Sequence, residues 1–191
     1  SPQFYIRNNS YKKVLQYDYE FNAAFRDTRK LSRSFLKGYE WKYIVLYRKY
    51  QSNYNNIWGK YFEWRLKRLE NKTGFSFEGN INIGQGLIIG HWGKIVINGN
   101  AKFGNDVFLT HGVTIGRDIR GKRKGVPTIG NRVCIRTNST IVGNVHIGND
   151  VLIAPNTFVN FDVPDHSVVI GNPASIHHRD NATEGHLPYV N

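Results

Sequence analysis

A period of six between residues 103 and 159 constrains this chain more than any other feature. Phe103, Leu109, Ile115, Ile129, Ile135, Ile141, Ile147, Ile153 and Val159 are all large and apolar. At 40% apolar composition, nine such anchors in nine slots arise by chance about once in several thousand trials, so the period is a structural signal. Four residues after most anchors comes a small or β-branched partner: Val107, Val113, Val133, Ser139, Val145, Val151 and Thr157. Glycine often follows the anchor directly, as at Gly104, Gly116, Gly130 and Gly148.

An α-helix repeats its apolar positions every three to four residues and a free strand every two. Six fits neither. It fits very short strands that turn a corner every six residues, with the anchor pointing inward. Three such sides close a triangular coil of eighteen, and stacked coils bury a continuous ladder of Ile and Val. The predicted fold class is therefore mainly β, a parallel β-helix of hexapeptide repeats over residues 74–176, with an N-terminal α-helical extension over 1–73. Its left hand is taken from known hexapeptide proteins, because it runs against the usual right-handed crossover.

Residues 1–73 lack the six-residue period and almost lack glycine. Leu31, Phe35, Tyr39, Tyr43, Leu46 and Tyr50 keep helical spacing, as do Trp58, Phe62, Leu66 and Leu69. Gly38 and the polar stretch 51–56 are the expected breaks. These helices are expected to cap the open end of the coil or to pack against other subunits. Their basic, aromatic surface also suits an anionic membrane face. Asn71–Gly74 reads as a linker, and 177–191 as a loose polar tail.

The formal charge is +12 and the pI near 9.9, a balance that favours anionic partners such as cofactor phosphates, acidic glycans or membrane surfaces. No motif that reads nucleic acid is visible, so none is expected as a partner. The single cysteine, Cys134, excludes an internal disulfide framework and fits a reducing compartment. With no membrane-length apolar run and no signal-peptide core, the expected localisation is cytoplasmic, with peripheral contact at the inner face of the membrane. Cys134 falls on an outward wall position with no histidine to activate it, which argues against a covalent acyl-cysteine. The histidines lack zinc-site spacing, so no metal is expected.

Two irregularities carry the functional reading. Ile89 and the next secure anchor, Ile97, are eight apart, so two extra residues bulge out around His91-Trp92-Gly93. Ile115 and Ile129 are fourteen apart, so an excursion loop leaves the coil over 116–127 and carries Arg117, Arg120, Lys122, Arg123 and Lys124. Counting in coils places His91, His111, Thr137 and Pro155 in one column along an edge, each about 5 Å from the next. His91 is the candidate general base, and His111 either orients it or meets the acceptor. Trp92 and the loop cations Arg120, Lys122, Arg123 and Lys124 are the candidate substrate contacts. His146 reads as wall surface, and Phe108, Leu152 and Phe158 as an outward apolar face for a neighbouring subunit.

From Gly86 through His91-Trp92-Gly93 to Asn98, through His111-Gly-Val-Thr-Ile-Gly116, the loop ending at Pro127 and the closing Gly171-Asn-Pro-Ala174, the chain resembles the serine acetyltransferase family. The likeness covers about residues 75–176. It implies acetyl-CoA as co-substrate, with His91 on the catalytic histidine and Thr137 and Pro155 where small coil residues meet coenzyme A. Gly116 and Arg117 fall on the family's Gly-Gly. It also implies a homotrimer with each site between two subunits, joined into a hexamer through the N-terminal helices. Three positions depart from the family. Gly90 replaces the acid before the histidine, and Gly125-Val126 replace a loop Arg-His pair that helps hold serine. Ser76 replaces the orienting carboxylate, with Glu78 the nearest acid.

The expected activity is acetyl-CoA-dependent O-acetyl transfer, direct rather than through an acyl-enzyme, to a sugar hydroxyl of a polysaccharide or its precursor. Serine O-acetylation is the alternative within enzymes, and a non-catalytic basic binding or scaffold protein the alternative outside them.

Overall fold

A computed structural model describes residues 10–190. Residues 75–178 form a left-handed parallel β-helix with three faces. The first face stacks β1 (Phe75–Phe77), β4 (Ile95–Ile97), β7 (Thr114–Gly116), β10 (Thr140–Val142) and β13 (Phe158–Val159). The second stacks β2 (Asn82–Ile83), β5 (Lys102–Phe103), β8 (Thr128–Ile129) and β11 (His146–Ile147). The third holds β3 (Leu87–Ile89), β6 (Val107–Leu109), β9 (Val133–Ile135), β12 (Val151–Ile153) and β14 (Ser167–Gly171), closed by the antiparallel β15 (Ala174–His178). Along that face Leu87 pairs with Val107, Val107 with Val133 and Val133 with Val151. The steps of 20, 26 and 18 residues are one coil of eighteen, lengthened once by two and once by eight. All nine anchors are buried, so the period of six is the period of the core.

The corners explain the small polar residues between anchors. Asp106, Arg132, Asp150 and His166 stack at the corner between the second and third faces with φ near +55° to +60°. Asn138 and Asn156, above Gly112, do the same between the third and first. Such left-handed conformations favour Gly, Asn and Asp. Side chains then rivet coil to coil: Asn131 Oδ1 accepts the Asn105 N–H, and Asn149 Oδ1 the Asn131 N–H, each at 2.8 Å. Coils approach so closely there that a Cβ on Gly104 would lie 2.8 Å from the Gly130 backbone.

Four helices precede the coil: α1 (Ser10–Phe25), α2 (Arg33–Lys37), α3 (Tyr39–Ser52) and α4 (Ile57–Thr73). Gly38 separates α2 from α3, and Asn56 caps α4 by accepting from the Trp58 and Gly59 N–H groups. α3 closes the open end of the coil, with Tyr43 and Tyr47 edge-on to Phe77 and the Tyr47 hydroxyl donating to Gly79 C=O at 2.8 Å. α1 lies along the third face. Its Asp18 carboxylate accepts from Arg48 Nε at 2.8 Å and from the Gly86 and Leu87 N–H groups at 2.8 and 3.0 Å. Arg48 also donates to Ile83 and Gly84 C=O. A wholly buried charge pair is tolerable only when its remaining hydrogen-bonding capacity is met this way.

Four expectations are corrected here. Of the outward apolar face only Phe158 is exposed: Ile88, Phe108, Cys134 and Leu152 are buried beneath Phe21 and Phe25 of α1 and Leu187 of the tail. Cys134 is therefore core, not exposed wall, and burial pushes its thiol up to about 11. The tail is fastened, because Asp150 accepts from the Ala182 and Thr183 N–H groups and the Thr183 hydroxyl. There is no linker, since α4 runs to Thr73 and β1 begins at Phe75 across a single left-handed residue, Gly74.

Candidate active site

His91 and His111 lie at the corner between the third and first faces, one coil apart. Their rings meet edge to face with centroids 5.6 Å apart. The two extra residues lengthen this corner turn, between Ile89 and Ile95, and leave the flanking strands regular. Gly93 makes the turn possible. Its φ is +145°, and a Cβ there would fall 2.9 Å from His111 Cβ. Further along the same edge, the Asn138 N–H donates to His111 C=O and the Asn156 N–H to Thr137 C=O. Thr137 and Pro155 thus continue the column, and three steps of about 4.8 Å give it a length of about 14 Å.

His91 is exposed and its ring stacks on Trp92 at 5.3 Å. Nδ1 lies 2.5 Å from Trp92 C=O. A carbonyl can only accept, so the neutral ring carries its proton on Nδ1 and leaves the Nε2 lone pair available as a base. The turn is held from the helical extension: Glu40 Oε1, on the first turn of α3, accepts the Trp92 N–H at 2.9 Å, and Tyr39 packs edge-on against the Trp92 indole. Nothing in the sequence spacing points to Glu40, because the contact joins a helix to a corner 52 residues away.

Neither Ser76, which replaces the orienting carboxylate, nor Glu78, the nearest acid, is bonded to His91. Ser76 is on β1, paired with Val96 on the first face, and the Glu78 carboxylate accepts the Gly99 N–H at 3.1 Å. Gly90 is sterically fixed, since a Cβ there would lie 2.7 Å from the Phe108 ring. The space an acid before the histidine would need is filled by a core aromatic under α1.

Gly116, Arg117 and the basic loop are not beside the histidines in one chain. Gly116 ends β7, and the loop leaves at the opposite edge of the first face, roughly 15 Å from the His111 corner at 3.3 Å per residue. Asp118 and Gly125 clasp the loop by two backbone hydrogen bonds, and Arg123 C=O accepts the Asn144 N–H at 2.8 Å. Arg117, Arg120, Lys122, Arg123 and Lys124 all remain exposed. The first face therefore carries the imidazole pair along one edge and a cationic clasp along the other.

Residues 127–160 match the family model of the bacterial transferase hexapeptide (six repeats). That match spans the later coils, from β8 to β13. The chain is 37% identical over 102 residues to a serine acetyltransferase of Helicobacter pylori, an alignment covering 53% of this chain and 60% of that protein. It thus spans less than two thirds of the length of that curated relative. Among solved structures it resembles serine acetyltransferase from Brucella abortus, with TM-score 0.76 and 25% identity over 92% of this chain and 72% of that one. The Neisseria gonorrhoeae serine acetyltransferase in complex with serine gives TM-score 0.74 and 25% identity, covering 89% and 70%. Each of these relatives is named as a serine acetyltransferase, and none of them is named for a polysaccharide sugar. Among the described residues no helix is long and apolar enough to cross a membrane, and no cluster of His, Cys, Asp and Glu could hold a metal ion.

Proposed function

We propose that this chain is an acetyl-CoA-dependent O-acetyltransferase in which His91 is the general base. The observation that carries the reading is the tautomer imposed by Trp92 C=O, which leaves Nε2 free at an exposed corner. Acetyl-CoA supplies an activated thioester carbonyl. The column of Thr137 and Pro155 offers it a narrow wall of small residues, and the loop cations offer charge for its phosphates. Nε2 takes the proton of the acceptor hydroxyl as the oxygen attacks. The imidazolium, still tied at Nδ1, then returns that proton to the leaving sulfur, so the enzyme ends as it began. Cys134, buried with its thiol pushed up, supports direct transfer without an acyl-enzyme.

Serine is the first acceptor in this reading, because the relatives named above act on it. A sugar hydroxyl is the second, and one observation favours it: Gly90 and Gly125-Val126 provide neither a carboxylate for an ammonium group nor a cation for a carboxylate. The assembly in this reading is a trimer, in which the loop edge of one chain meets the histidine edge of the next and closes the separation within a single chain. Thiol release from acetyl-CoA, measured with serine and with a panel of sugars, tests the proposal. Release that depends on an acceptor and falls in His91→Ala supports it. No acceptor-dependent release with either class leaves a binding or scaffold role.

A further inference from the structure

α4 presents Ile57, Trp58, Tyr61 and Trp64 to solvent, with exposures of 79%, 60%, 42% and 54%. They sit at i, i+1, i+4 and i+7, so they form one ridge on the helix. Leaving four such side chains in water costs hydrophobic free energy unless a partner covers them. The Arg65 guanidinium lies 5.8 Å from the Tyr61 ring centroid and that of Arg68 5.0 Å from Trp64. Beside the ridge, between α3 and α4, runs an open groove of about 600 Å³. Lys42, Lys49, Arg65, Arg68 and Lys72 rim it, and among the described residues no carboxylate lines it. Apolar side chains from both helices, Val45 and Phe62 among them, complete it. The two acids of α4, Glu63 and Glu70, line a separate small pocket against β1. Lys67 shares that pocket with them, so the acids of α4 are matched there and the groove side carries cations alone.

We propose that this face docks on the surface of an anionic phospholipid bilayer, with Trp58, Tyr61 and Trp64 seated at the headgroup level and the rim cations on lipid phosphates. The chemistry selects that occupant. Tryptophan and tyrosine, each an apolar ring with a polar tip, settle at membrane interfaces, and clustered Lys and Arg add attraction to anionic lipid. A second copy of the chain fits badly, because a two-fold contact would set these five cations against the same five. Nucleic acid would use the cations but leave Ile57 and Trp58 uncovered. Trp41 and Lys42 of the groove follow Glu40 directly in α3, so docking brings the His91 turn near the lipid surface. The docking itself does not depend on acetyl transfer being the activity.

Co-sedimentation of the full chain with phosphatidylcholine vesicles, with and without phosphatidylglycerol, tests the proposal. Binding is expected only when the anionic lipid is present. Arg65→Glu/Arg68→Glu should weaken it about tenfold or more. Trp58→Ala/Trp64→Ala keeps every charge and should still weaken it several-fold. Tryptophan fluorescence of the unsubstituted chain should be quenched by brominated acyl chains, and that quenching should shrink in the double tryptophan variant. Both tryptophans are more than half exposed, so melting curves matching the parent are expected and exclude misfolding. Absence of binding to anionic vesicles overturns the proposal, as does undiminished binding of the tryptophan variant, which would reduce it to plain charge attraction. A change of sedimenting mass in these variants without lipid would assign the face to a second copy. Retention on RNA but not on vesicles would assign it to nucleic acid.

Discussion

Glu40 and Trp92 are joined by a 2.9 Å hydrogen bond from the Trp92 N–H to the Glu40 carboxylate, which ties the helical cap to the turn that carries His91. The same Trp92 residue accepts from His91 Nδ1 through its carbonyl. Glu40 is thus a positioning residue for the proposed base, acting through the turn. Glu40→Ala should lower kcat about tenfold to a hundredfold, as small misplacements of a catalytic group do, and leave the KM for acetyl-CoA nearly unchanged. Glu40→Gln retains an acceptor for the Trp92 N–H and should recover most of the loss. Equal damage by both variants, read by steady-state kinetics, would deny the positioning role.

The edge-to-face contact of His91 and His111 separates two jobs. His91→Ala should lower kcat by about 10² to 10⁴, the usual contribution of a general base. His111→Ala removes only a neighbour of the ring, so its loss should be smaller and should fall partly on the acceptor KM. Thiol release at saturating acetyl-CoA with varied acceptor distinguishes them. A larger loss at His111 than at His91 would exchange the roles.

Gly90 and Phe108 show why one polar grip on an amino acid is missing. The ring of Phe108 occupies the space, and Phe25 of α1 packs edge-on against it at 4.9 Å. Gly90→Asp should therefore destabilise the fold by about 1 to 3 kcal/mol, the cost of overpacking, and lower Tm without improving the use of serine. A melting scan with a serine assay checks both halves.

How much of this was legible depends on how far apart the touching residues are in sequence. Anchors and corners repeat locally, so counting sixes is enough to put His91 over His111. The covering of Phe108, Cys134 and Leu152 was not legible. Alternation along a strand tells inward from outward but not whether the outward side is wet, and here Phe21 lies more than sixty positions from the residues it covers. Trp58 erred the other way. It keeps helical spacing with Phe62 and Leu66, which does not tell that Trp58 faces solvent while Leu66 is buried. Glu40 and the fastened tail escaped because each is a single carboxylate meeting backbone N–H groups, which leaves no periodic trace.

Asp18 and Arg48 are buried completely, and each satisfies backbone groups of the first coil. Asp18→Ala would strand the guanidinium and leave the Gly86 and Leu87 N–H groups without their acceptor. The expected loss is about 3 to 5 kcal/mol, read as a lower denaturant midpoint. Replacing both partners, Asp18→Leu with Arg48→Met, should cost less than the single change, because no lone charge then stays in the interior. A double variant as damaged as the sum of its parts would show the pair to be independent.

Asp150 fastens the tail, and its titration sets the pH range over which the tail is held. Burial alone would raise its pKa, but hydrogen bonds from Thr183, His166 and the Ala182 amide outweigh that and hold it at about 2. A depressed carboxylate contributes stability above its unfolded value, near 3.9, and loses it as pH falls through the folded value. The shift corresponds to about 2 to 3 kcal/mol at neutral pH. His166 is shifted upward by its hydrogen bond to Asp150. Its contribution is therefore full below the ordinary imidazole value and fades as pH rises through the raised one. The tail over 179–190 should then be held most firmly between roughly pH 4 and pH 6.5. Amide exchange of that segment, corrected for intrinsic rates, should show greatest protection in this window, with a shallow loss on the alkaline side and a steep one in acid. Asp150→Asn keeps an acceptor but no charge, and should abolish both limbs. If the segment exchanges equally fast in the parent and in that variant, Asp150 does not hold it.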